Sequence, residues 1–192
     1  MATSRIGPFA LEEPIGGTGS ALYRAIHINQ RKAVALRLFA VPFGASEAAK
    51  RKFVSEADKL KSLLQTNIVR CYGGAIVGDQ AYLAYEFVEG QTLAELLEKR
   101  GRLSWEQVVD IASQVCAALE HAHGHSVVHQ ALSPSKILLT ESGTVKVTDF
   151  RVERHGGFNP PVRLTVQRVS YLSPEQTKSN GVISERTDVY IF

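Results

Sequence analysis

Long apolar runs are missing from this chain, and sulfur and indole are scarce. It has two cysteines, one methionine and one tryptophan in 192 residues. No stretch approaches the ~18 apolar residues of a membrane-spanning helix, and the N-terminus has no signal-peptide core. The expectation is a cytoplasmic chain with no membrane segment in the part at hand. Cys71 and Cys116 lie apart in apolar stretches without CxxC spacing, which predicts two buried, reduced thiols rather than a disulfide. His121 and His125 have an i, i+4 spacing, and His123 and His129 lie close by. No Cys or carboxylate cluster completes a ligand set, so zinc is not expected. A surplus of one charge is also lacking. The 22 basic and 19 acidic side chains leave a net charge of +3 spread along the chain, which makes no case for nucleic acid. There is no internal repeat or low-complexity segment.

What is present is the composition of a globular protein, 44% hydrophobic and 21% charged, long enough for one domain or two small lobes. FALEEPI, ALYRAIHIN and KAVALRLFA, within 9–40, read as three strands separated by a Gly-rich turn and by Asn-Gln-Arg. Ser46 caps a predicted helix running to about Leu64, with the stripe Ala49, Phe53, Ala57, Leu60 and Leu64. Glu56 borders that stripe, where a carboxylate is costly without a partner. Residues 67–88 give two more strands around Gly78-Asp79, for a five-stranded antiparallel sheet. Capping boxes start helices at Thr92-x-x-Glu95 and Ser104-x-x-Gln107. The second carries Val108, Ile111, Ala112, Val115, Leu119 and Ala122 on one face. Short strands are expected at 137–140 and 144–147, an exposed loop at 154–168, and a helix opening near Asp188.

The stretch Val127–Leu139, VVHQALSPSKILL, organises these elements. It resembles the catalytic loop of eukaryotic-like Ser/Thr protein kinases of the bacterial type, where H-R-D-L-x-x-x-N supplies a base and a metal ligand. His129 is kept, but Gln130, Ala131 and Lys136 stand where that motif has Arg, Asp and Asn, and Ser133 stands at the lysine position. Val34-Ala35-Leu36-Arg37 is similar to V-A-I-K, Asp149-Phe150-Arg151 to D-F-G, and Ser173-Pro174-Glu175 to A-P-E. The resemblance implies an α+β, two-lobed fold with an incomplete kinase-like domain over 1–192. Its N-lobe spans 5–87 and its partial C-lobe spans 88–192, ending at the start of the central helix. Glu175 is then expected to pair with an arginine beyond residue 192, and Asp188 to hold the loop backbone near His129.

The resemblance also assigns roles. Gly16, Gly17 and Gly19 form an impaired phosphate cover. Leu22, Ala35 and Leu138 sandwich adenine, Tyr85 is the gatekeeper, and Glu86 and Val88 lie at the hinge. Arg37 pairs with Glu56, while Leu60, Cys71, His129 and Phe150 form the packing stack. Asp149 is the surviving metal ligand, and Lys136 is expected to pair with it where magnesium would otherwise sit. ATP binding is therefore expected to be residual and magnesium unneeded. Gln167-Arg168 replaces the Gly-Thr of the peptide-docking loop, and Arg151 removes a glycine hinge. No catalytic residue is expected, because Ala131 has no group to take a proton. The implied function is an inactive signalling or interaction domain whose partner is another protein. The alternatives are a weak or atypical ATP-dependent Ser/Thr kinase, another phosphoryl or nucleotidyl transferase run through Asp149, or a non-functional remnant.

Overall fold

The computed structural model describes residues 4–15, 21–41, 46–150, 171–178 and 181–192. Among these, 4–62 and 70–87 form one compact unit, and 63–69, 88–150 and 171–192 form the other. Residues 63–69 thus group with the second unit.

The first unit is an antiparallel sheet with a helix. Its strands are β1 (Arg5–Ile6), β2 (Phe9–Pro14), β3 (Leu22–His27), β4 (Lys32–Ala40), β5 (Cys71–Val77) and β6 (Gln80–Glu86). They are ordered β1-β2-β3-β4-β6-β5. The five expected strands are present, and the two-residue β1 adds a sixth at the edge. Alternation along β4 explains the layering. Val34 and Leu36 point to one face, where they are buried with Ile6, Phe9, Ala25, Tyr82 and Ala84. The phenyl ring of Phe9 meets Tyr82 edge-on at 5.3 Å.

Phe39 points the other way and meets Phe53 of α1 (Glu47–Ser62), ring centroids 5.8 Å apart. Phe53, Ala57 and Leu60 are the buried stripe of α1. Gly74 lets the helix approach β5. A Cβ there would lie 2.5 Å from the Tyr82 carbonyl and 3.3 Å from Cβ of Ala57. The expected helix was two residues too long. α1 ends at Ser62, Leu63 turns inward, and Leu64 is 61% exposed.

The second unit holds α2 (Leu93–Arg100), α3 (Trp105–Gly124), α4 (Glu185–Ile191) and a small sheet. The sheet runs β7-β8-β9 from Gln91–Thr92, Ile137–Leu139 and Val145–Val147. Both capping boxes form. Thr92 Oγ1 accepts from the Glu95 amide at 3.1 Å, and the Glu95 carboxylate accepts from the Thr92 amide at 2.7 Å. Ser104 and Gln107 repeat the exchange. Helix α3 buries Ile111, Val115, Ala118, Leu119 and Ala122.

Two expectations for α3 fail. Val108 is 51% exposed, and Cys116, next to buried Val115, is an exposed thiol. Val108 shares the face of Ile111 and Val115 but lies in the first turn, where none of the described residues covers it, and Cys116 is turned away from that face. Gln114 ties α3 to β9, its Oε1 accepting from the Val145 amide at 2.8 Å and from Asn67 Nδ2 at 2.9 Å. Among the described residues no helix is long and apolar enough to cross a membrane.

Candidate active-site loop

The β8–β9 ladder positions the loop. Ile137 pairs with Val147, and the Thr148 amide donates to the Lys136 carbonyl at 3.0 Å. The pairing therefore continues one step past the strand ends. It sets Lys136 across from Thr148 and one residue from Asp149. The ammonium of Lys136 hydrogen-bonds and ion-pairs with Asp149 Oδ2. The Asp149 side chain is only 10% exposed, so this pair is screened less than a surface one. Asp149 sits at φ +66°, a left-handed conformation that a non-glycine residue holds only when its surroundings require it.

His129 fixes the other side of Thr148. Its ring nitrogen Nε2 lies 2.8 Å from the Thr148 carbonyl. A carbonyl only accepts, so Nε2 carries the proton, and Nδ1 accepts from the Ala131 amide at 3.3 Å. The imidazole is thus a neutral spacer. It is fully buried, and burial pushes its pKa below the ordinary histidine value despite the nearby Asp188 and Asp149 carboxylates. Phe150 packs on it with ring centroids 4.8 Å apart.

Asp188, in the first turn of α4, holds the loop backbone as expected. Its Oδ2 accepts from the His129 amide and its Oδ1 from the Gln130 amide, both at 2.7 Å. Gln130 is at φ +63°, so this two-pronged grip holds a strained backbone in place. A third partner was not anticipated: His123 Nε2 lies 2.8 Å from Asp188 Oδ2. No local signal pointed to it, since the two residues lie 65 positions apart. The Gln130 carbonyl accepts from Gln176 Nε2 at 2.6 Å. Glu175 Oε1 accepts from the Thr187 hydroxyl at 2.6 Å.

The loop's chemical positions are plain. Ala131 and Ser133 are half-buried, and Ser133 Oγ lies 3.0 Å from Ser135 Oγ. Ala131 offers only a methyl group to its surroundings. The residues also do not suit a divalent cation. Asp149 already holds an ammonium, and Lys136 has donors but no lone pair to offer.

In the first unit, Arg37 and Ala35 share the β4 face that Phe39 presents to α1. Glu56 lies one helix turn beyond Phe53. Tyr85 is buried on β6, across from Ala35 and Cys71. Glu86 closes β6, its carboxylate accepting from the Arg70 amide at 2.9 Å. Leu22 pairs with Arg37 across β3 and β4, and Leu60 and Cys71 are buried in this same unit. Val88 and Leu138 are half-buried in the second unit, Leu138 opposite Lys146. Gly16, Gly17, Gly19, Arg151, Gln167 and Arg168 lie outside the described residues.

The protein kinase domain family matches residues 9–191. The chain belongs to that family. PrkC, a serine/threonine-protein kinase of Bacillus subtilis, is 32% identical over 187 residues, which cover 96% of this chain and 29% of PrkC. PknL of Mycobacterium tuberculosis is 32% identical over 177 residues, 91% of this chain and 44% of PknL. The chain thus spans less than half the length of these relatives. The crystal structure of a mutant of the M. tuberculosis PknI kinase domain superposes with a TM-score of 0.75 at 18% identity. The match covers 100% of this chain and 72% of that one. A kinase-like α+β fold is therefore established, with an antiparallel N-lobe sheet and a partial helical C-lobe.

Proposed function

We propose that this protein kinase domain is catalytically inactive and acts through binding another protein. The observation that carries the reading is Ala131. Phosphoryl transfer needs a side chain to orient the acceptor hydroxyl and take its proton, and a methyl group does neither. Losing such a group slows transfer by roughly 10²–10⁴-fold, about 3–5.5 kcal/mol of barrier. Ser133 adds to this by removing a cation from beside the transferred group. The packing skeleton is retained, since His129, Phe150 and Asp188 are all buried. A domain that keeps its core and loses its base is suited to recognition. Trp105, Val108 and Val109, exposed at i, i+3 and i+4 on α3, offer apolar surface of the kind a protein partner covers. Arg37 and Glu56 form the structural ion pair of the first unit in this reading, and ATP, where it binds, does so as a residual ligand. The domain works in the cytoplasm.

The alternative reading is a weak or atypical kinase, or another phosphoryl or nucleotidyl transferase. The survival of the Asp149 carboxylate favours it. The test is incubation of the purified chain with γ- and α-labelled ATP and protein substrates, beside Asp149→Ala. No label above the Asp149→Ala background is the expected result. Stoichiometric labelling that Asp149→Ala abolishes would establish the transferase.

A further inference from the structure

We propose that Lys136 is a tethered cation that replaces a divalent metal ion at Asp149, so that this domain takes no Mg²⁺ there. Any triphosphate it engages is then bound metal-free. The inference extends the inactive-kinase reading to the charge chemistry of the same loop. Three observations carry it.

The ladder sets Lys136 opposite Thr148, so the ammonium is delivered to Asp149 by backbone pairing rather than by a free-swinging surface side chain. The carboxylate side chain is 10% exposed and that of its lysine 31%. A dication approaching Asp149 would meet a positive charge already seated on its best ligand, and no lone pair from residue 136.

Thr148 is pinned at both ends, its amide donating to Lys136 O and its carbonyl accepting from His129 Nε2. Asp149 at φ +66° and Phe150 against His129 follow directly after it. Metal-bound kinases use the ion to hold this aspartate. Here a covalently attached ammonium does so, and it cannot dissociate. The Asp149-Phe150 turn is consequently set without a metal ligand.

The test is Mn²⁺ binding followed by paramagnetic relaxation of water protons, with thermal melting in Mg²⁺ and in EDTA, each with and without ATP. The purified chain is compared with Lys136→Asn and Lys136→Asn/Asp149→Ala. Wild type is expected to melt alike in Mg²⁺ and EDTA and to leave Mn²⁺ free. Lys136→Asn is expected to gain Mn²⁺ affinity by about tenfold or more, as loss of a contacting like charge implies, and the double variant to lose that gain. If Lys136→Asn does not fold, Lys136→Met removes the same charge and is read the same way. Wild-type metal binding that Asp149→Ala abolishes would overturn the proposal. So would a folded Lys136 variant as indifferent to metal as wild type. Metal-free label transfer would sink the inactive-kinase reading and leave this one standing. Metal binding without transfer would do the reverse.

Discussion

The two halves of one loop are held to different degrees. Val127, His129 and Gln130 are buried, and Asp188 accepts from the backbone amides of the last two. Ala131, Ser133 and Lys136, a few residues on, are half-buried, and Ala131 and Lys136 differ from the H-R-D-L-x-x-x-N pattern. Gln130 also departs from the motif, so what the buried half keeps is its backbone, gripped by Asp188, together with His129. A buried residue whose task is to satisfy strained backbone cannot be replaced without unfolding its surroundings. A residue whose task is to meet a substrate can be replaced at almost no cost to the fold.

The largest effect should come from breaking the buried half. Asp188→Ala leaves two backbone amides without acceptors beside His123 and releases Gln130 from its φ of +63°. Loss of such a buried charged partner costs about 3–5 kcal/mol, read by urea denaturation. A loss below about 1 kcal/mol, the worth of one ordinary hydrogen bond, would erase the distinction between the halves.

Acid should act through His129 with a smaller effect. Its folded pKa lies below the ordinary value because the ring is buried. Between the folded pKa and the unfolded value of about 6.5, the unfolded chain therefore binds more protons, and stability rises with pH. The contribution is fully present above the unfolded pKa. It is lost as pH falls below it, by at most about 1.4 kcal/mol per pH unit. Denaturation midpoints for wild type and His129→Phe across about pH 5–8, a window around the unfolded value, check this. The variant should show a flatter profile.

The smallest effect belongs to the half-buried side of the loop. Ala131→Asp, at a half-buried position, should change stability by no more than about 0.5 kcal/mol. It should not restore transfer, because Ser133 and Lys136 remain. A folded Ala131→Asp chain that phosphorylates protein substrate would show that the missing base was the sole defect.

Much of the fold was legible because its signals are local. Thr92 and Ser104 marked helix starts that the capping boxes confirm, since a cap acts within three residues. The period-two pattern of 32–40 marked β4 and its two faces. The pairing of Lys136 with Asp149 was also legible, because a short hairpin brings nearby residues together. The misreadings were of another kind. Cys116 and Val108 are apolar positions on an apolar helix, and whether a neighbour covers them is not a local property. β1 is two residues long and exists only because β2 lies beside it. His123 reaching Asp188 joins positions 65 apart.

The amino-acid order by itself determined the family and most of the elements, because propensity, capping and side-chain chemistry are properties of the residue and its near neighbours. Tertiary structure alone decided which apolar side chains of α3 are covered, that the His123 ring joins Asp188, and that Thr148 is held from two sides. Each of these depends on where distant segments meet, which the order of residues does not state.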